Sequence, residues 1–455
     1  MDGRDVVFIN VSHPSQLRQR DTMQAVRRRV MRDIGKSRRR RPRAITVAID
    51  IPASDCLPED MEISRTLQPY GYFAVQPNAR ARQLFHFMHG PAGPAYRPFR
   101  MEWFAMAVAD QCAFYLCLAN AALFYHQMTG GEGGCEYSDC DESARYFSLC
   151  MGMMTERLGS GSDAVSEGVV TTVLGFLCHD AAVAKWDRWS IHMDGLERIL
   201  QLRHCFPGLS DLNCVMSFWF DLTGSAMHDT APRFNIPSGM VQQSLPGCEM
   251  SSTLTTVLSS LATTGDPPLV LLCRALGQTA LVADFINKNA HDPRFWDGGI
   301  DTTRVLGPAA HYVLSIPRMT AKSQTCGCAR AAEVLCEMAR LALLILIARL
   351  KSAFSLVGGE MAAFQEKFAG ILPLLVHETF DVCPDLALWS LVVVACSHAG
   401  VRPQSLTTTI RECMARLRVG RARDAVEVAR SIIWVDLILA SEAEGLVLEL
   451  QLRES

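Results

Sequence analysis

Residues 339–350, ARLALLILIARL, decide between a membrane-crossing chain and a packed helical body. Leu341 to Ala348 is an unbroken apolar run of eight residues, closed by Arg340 and Arg349. A crossing needs roughly 20 apolar residues, so the run reads as the core-facing part of a helix rather than a span. The apolar run around Leu391 to Cys396 is also too short.

The same logic extends in both directions from that stretch. Helix-like segments are expected at Trp103 to Met128, Ser143 to Leu158, Val165 to Trp186, Trp189 to Arg203, Leu212 to Met227 and Leu269 to Asn287. They continue at Cys328 to Phe354, Met361 to His377, Leu386 to Ala399, Ser405 to Arg416 and Asp424 to Leu450. Many are apolar on more than one face, as buried helices of a multilayer body are. Period-2 alternation bounded by turn pairs is nearly absent, which argues against a sheet. The expected fold class is all-α: a large multi-helix domain over residues 101–455. Before it lie a basic arm, 1–43, and a Pro-containing linker, 44–100, whose aromatic residues dock parts of it on the body.

Bulk composition agrees. Hydrophobic residues make up 49% of 455, enough for a sizeable core. The seventeen cysteines are odd in number and scattered. The N-terminus lacks the charged-then-apolar layout of a signal peptide, so free, mostly buried thiols in a reducing compartment are expected.

Charge is unevenly placed. The net formal charge is −3, yet Arg18 to Arg43 holds twelve Lys/Arg against Asp21 and Asp33, which leaves −12 on residues 44–455. Asp21 with Gln24 resembles a helix start, and Met23, Val26, Val30 and Ile34 follow at helical spacing. Gly35 is a plausible stop, and Pro42 breaks the run after it. The candidate contact residues are Arg27, Arg28, Arg29, Arg32, Lys36, Arg38, Arg39, Arg40, Arg41 and Arg43. Three readings stay open: a nuclear import address, a phosphate contact that binds DNA without sequence choice, or a solvated charge run.

Catalytic signals fail on context. Gly35-Lys36-Ser37 ends like a phosphate-binding loop, but Val30 stands where that loop needs its first glycine. The stretch 159–164, GSGSDA, spells a dinucleotide fingerprint, but a helical segment precedes it where a strand is required. Cys178-His179-Asp180 are helix neighbours pointing about 100° apart, so they form no nucleophile–base pair by themselves. The expected arrangement is a buried Cys178 beside a partly exposed His179. Cys135 and Cys140 with His126, or Cys326 with Cys328, lack the paired ligand spacing of a structural zinc site. No enzyme, metal or cofactor is expected.

Three stretches then resemble a known family. Phe8-Ile9-Asn10, Pro14, Val26-Arg27 and Val30-Met31 before a basic run are similar to the N-terminal signature of fungal-specific transcription-factor-like proteins, with Arg29 in place of the usual His. Trp189, His192-Met193 and Gly195-Leu196, followed by Arg203, resemble that family's central helix. There the arginine usually precedes two glycines, and here His204 and Cys205 follow. Phe220-Asp221-Leu222 with Ser225, Pro232 and Phe234 resembles the segment after it. The resemblance implies a helical regulatory domain. Full members carry a six-cysteine zinc cluster that reads DNA. The first cysteine here is Cys56, and no six-cysteine array follows. The expectation is therefore a transcription-regulator-like protein without its own zinc-cluster reader, acting in the nucleus through partners. Those partners are an import receptor, DNA or chromatin through the arm, and other proteins or a second copy, with no membrane. The alternative is a helical interaction scaffold, or a diverged ligand-sensing domain, nuclear or cytoplasmic. His192, Met193, Gly195, Leu196 and Arg203 are expected to shape helix packing, with Gly195 letting another helix approach.

Overall fold

Leu341, Ala342, Leu343, Ile345 and Leu346 have no measurable solvent exposure, and they belong to the central helix of the described helical unit. The structure is a computed structural model. It describes residues 73–89, 97–129, 136–161, 163–241, 245, 247–292, 295, 299–319, 328–354, 359–375, 382–398 and 400–451. All of these fall within one compact unit, residues 56–455. The described residues hold seventeen α-helices and no strand, so the chain is all-α.

The first nine helices are α1 (Ala79–His89), α2 (Arg97–Ala107), α3 (Gln111–Thr129), α4 (Asp141–Leu158), α5 (Glu167–Ala182), α6 (Trp186–Leu202), α7 (Asp211–His228), α8 (Ser238–Val241) and α9 (Ser252–Thr263). The others are α10 (Pro267–Asn289), α11 (Gly299–Leu314), α12 (Cys328–Ala353), α13 (Met361–Ile371), α14 (Pro384–Ala395), α15 (Gln404–Leu417), α16 (Ala422–Arg430) and α17 (Asp436–Gln451). α3 and α4 form an antiparallel pair, α5 lies on α3, and α6 and α7 pack on α5. α11 joins α7 to α10 and α12. α12 also packs on α13, α14 and α17, and α14 carries α15 and α16. α14 is buried nearly all round, which is why its sequence shows no polar face.

Local chemistry sets the boundaries. Ser166, Ser210 and Ser251 each accept a hydrogen bond from the third residue of the helix that follows. Pro267 and Pro384 stand in the first turns of α10 and α14, where a missing N–H costs nothing.

The expected 103–128 segment is two helices. Asp110 Oδ1 accepts the N–H groups of Cys112 and Ala113 at 2.9 and 3.0 Å, which starts α3 afresh. The expected 424–450 segment also splits. Asn287 holds the break, donating to the Trp434 carbonyl at 2.8 Å and accepting from the Asp436 N–H at 3.0 Å. Within the stretch read as a linker, α1 buries Leu84 and Phe85 completely. α10 has the length and apolarity of a membrane crossing. Here it is a packed helix, with Leu272, Ala275, Leu276, Val282 and Ile286 in the core and Arg274 outside.

Candidate functional site

The central and following motif stretches come together as one unit built from α5, α6, α7 and the segment leading to α8. On α6, Met193 and Leu196 are fully buried. His192 is half-buried. Its Nδ1 lies 2.7 Å from Asp180 Oδ2, and its ring stacks on Phe176 at 4.8 Å. Asp180, on α5, also accepts from Arg188 Nε at 2.7 Å. Arg188 and Lys185 in turn reach Glu136, Lys185 at 3.0 Å. A carboxylate only 1% exposed is thus shared by one guanidinium and one imidazole and pins α5 to α6.

His179 departs from expectation. It is 1% exposed, whereas Cys178 is only partly buried. Position 179 faces the α3–α4 pair, where its ring stacks on Tyr137 at 4.0 Å. Burial, followed by the positive charge of Arg188 and of His192, pushes the His179 pKa down to about 3. It is a neutral aromatic filler, not a base.

Gly195 also departs from expectation. It is exposed, and a Cβ built there meets nothing within 4 Å. Close approach is made by Gly224 on α7, where a Cβ would lie 1.8 Å from the Trp189 ring of α6. Gly175 on α5 plays the same part against Trp103, at 2.3 Å.

Arg203 caps α6, and its guanidinium donates to the Val165 carbonyl. Beyond it the chain closes a left-handed stop. The Cys205 N–H reaches Leu200 O at 2.7 Å, and the His204 N–H reaches Gln201 O at 3.1 Å. His204 and Cys205 have φ of 59° and 74°. These are the two positions where the resemblance expects glycines, and side chains there are strained. Changing both to glycine (His204→Gly, Cys205→Gly) is expected to stabilise the fold by about 0.5–1 kcal/mol per site, after the entropy glycine adds to the unfolded chain. A rise in the urea midpoint at unchanged slope checks it. An unchanged or lower midpoint contradicts it.

Asp221 on α7 organises the third stretch. Its Oδ2 accepts the N–H groups of Arg233 and Phe234, both at 2.8 Å, and Ser225 lies at 3.5 Å from Oδ1. Arg233 then ties this segment to Asp194 and Glu197 of α6, at 2.6 and 2.8 Å. Burial raises the Asp221 pKa to about 6, although those backbone N–H bonds resist the shift. The native state therefore binds more protons than the unfolded chain between about pH 4 and 6, and this group's contribution falls as pH rises through that window. The depressed His179 works in the opposite sense over an overlapping range. Asp221→Asn is expected to gain stability relative to the wild type by on the order of 2–3 kcal/mol between pH 4 and 7. Urea midpoints at several pH values check this, and parallel curves for the two proteins would refute it.

The basic-arm candidates, Arg27, Arg28, Arg29, Arg32, Lys36, Arg38, Arg39, Arg40, Arg41 and Arg43, lie outside the described residues, as do Cys135 and Cys326. The body has a basic cluster of its own that sequence reading missed. Arg416, Arg418, Arg421, Arg423 and Arg430 are all exposed around the α15–α16 turn. A groove of about 570 Å³ begins beside them, between α16 and α17, lined by Arg423, Glu427, Val447 and Leu448. Averaged into an acidic body, these arginines leave no trace in a net-charge count.

Residues 87–245, about a third of the chain, match the model of the family described as fungal specific transcription factor domain. The match runs from the end of α1 through α8 and contains both the Trp189–Arg203 and the Phe220–Phe234 stretches. No curated protein and no solved structure matches the chain.

Proposed function

We propose that the protein is a transcription regulator of fungal type that acts in the nucleus through partners rather than through a zinc-cluster reader of its own. The observation that carries this reading is the family match over residues 87–245, whose helices α5 to α7 form a single cross-linked unit. That family is regulatory, and the buried Asp180 of the unit is taken up in packing, held by Arg188 and His192. The 455 residues contain no six-cysteine array. The arm supplies positive charge for an import receptor or for non-specific phosphate contact.

The test is chromatin association in a fungal host. The full-length protein is compared with a variant in which Arg38, Arg39, Arg40 and Arg41 are alanine, both fused to an unrelated import signal. Enrichment at defined promoters is the expected result, and loss in the variant makes the arm part of the chromatin contact. Absence of enrichment for both proteins overturns the regulator reading in favour of an interaction scaffold.

A further inference from the structure

Two thiols meet where α3 starts against the middle of α4. Cys112 Sγ lies 3.5 Å from Cys150 Sγ, and the two residues are 1% and 0% exposed. Neither belongs to the helices of the packing unit above, although Cys112 touches Thr172 of α5.

The two positions differ chemically. Cys112 is in the first turn of α3, whose amides at Cys112 and Ala113 are capped by the Asp110 carboxylate. Arg157 stands at the same helix start, 2.8 Å from the Asp110 carboxylate. In the reduced protein the Cys112 thiol also rests against the Cys150 carbonyl oxygen, at 3.4 Å. The hydrogen bond with Cys150 pulls the Cys112 thiol pKa down against its burial; Thr172 and Arg157 act in the same direction, and the Asp110 charge opposes them. The same hydrogen bond, with burial, pushes Cys150 up.

We propose that Cys112 and Cys150 form a peroxide-responsive dithiol that closes to a disulfide between α3 and α4. The Cys112 thiolate attacks one oxygen of a hydroperoxide. The O–O bond breaks, and the departing oxygen is protonated to water or an alcohol, leaving Cys112 as a sulfenic acid. Cys150 sulfur then attacks Cys112 sulfur, the S–O bond breaks, and the hydroxyl leaves with the Cys150 proton as water. Two thiols are oxidised and the peroxide is reduced by two electrons. The sulfurs must close by about 1.5 Å to reach disulfide length, a movement within the range of side-chain rotation. Because both are buried, reaction follows local opening at the start of α3 and is slower than at an exposed thiol.

The experiment treats the full-length protein with hydrogen peroxide, blocks remaining thiols with a maleimide after denaturation, and maps peptides without reductant. Exposed Cys205 serves as the internal control for oxidant delivery. The expected result is a cross-linked Cys112–Cys150 peptide that dithiothreitol separates. In a Cys150→Ser variant, which removes the second thiol but keeps a hydrogen-bond donor beside Cys112, Cys112 should accumulate as a sulfenic acid trapped by dimedone. Full maleimide labelling of both Cys112 and Cys150, after exposure that has oxidised Cys205, overturns the proposal. So does pairing of either thiol chiefly with another cysteine.

Discussion

Arg340→Leu is expected to destabilise the helical body by about 3–5 kcal/mol, a large share of the stability of an ordinary domain. Arg340 closes the apolar run of α12, and its side chain has no solvent exposure. Its Nη2 and Nε donate to the two Glu337 oxygens at 2.7 and 2.9 Å, and its Nη1 donates to Asp229 at 2.7 Å. Asp229 ends α7 in the left-handed conformation, so one guanidinium ties the end of α7 to the centre of α12. Without it, Asp229 keeps Arg318 and Lys367. Glu337, 8% exposed, keeps no strong hydrogen bond among the described residues, only a long contact of 3.5 Å from the Met319 N–H and the charge of Arg318 nearby. The penalty is therefore that of a buried carboxylate that loses its two charge-assisted hydrogen bonds. A second change, Glu337→Leu, removes that carboxylate and is expected to recover most of the loss. Urea unfolding followed by far-ultraviolet circular dichroism gives both numbers. A single variant within about 1 kcal/mol of the wild type would sink the argument.

The same network has a signature in acid. Burial alone would raise the Asp229 pKa. The hydrogen bond and charge of Arg340, with those of Lys367, outweigh it and hold the carboxyl well below its usual range. Its stabilisation is fully present above about pH 4 and is lost as pH falls further. Arg340→Leu should therefore flatten the acid limb of the stability curve as well as lower its plateau.

How far the sequence could be read depended on what each residue's neighbours were. Segments such as Leu212 to Met227 and Leu386 to Ala399 were legible because apolar spacing reports burial directly. α11 was not among the expected segments, and it carries Gly307 and Pro308 in its interior. In the fold that glycine is where the Phe218 ring of α7 comes to 2.9 Å from a Cβ position. α9 was hidden by its Ser and Thr residues, whose hydroxyls bond back to their own helix carbonyls. At the motif unit, the stretches around Trp189 and Asp221 were visible, but their joint was not. Which of Cys178 and His179 faces inward depends on where the α3–α4 pair sits, and local spacing carries no record of that.

The glycines make the same point with opposite signs. Gly195 and Gly224 both lie inside helices and both weaken them relative to alanine by about 1 kcal/mol. At Gly195 nothing offsets that cost, since the added methyl points into open space. Gly195→Ala is expected to stabilise the protein by about 0.5–1 kcal/mol. At Gly224 the added carbon would lie 1.8 Å from Trp189 Cη2 and 2.3 Å from Cζ3. Trp189 is 2% exposed and cannot swing away, so α6 and α7 must separate or the ring must leave its rotamer. Gly224→Ala is expected to destabilise by about 3 kcal/mol or more despite its better helix propensity. Trimming the ring tests the cause. In a Trp189→Leu background, itself costly, Gly224→Ala should lose most of its penalty, because the atoms it strikes are gone. Thermal and urea unfolding of the four proteins measure the coupling. If Gly224→Ala and Trp189→Leu add independently, the close approach of α6 and α7 is not what Gly224 serves. If they compensate, the glycine that matters to this packing is the one on α7.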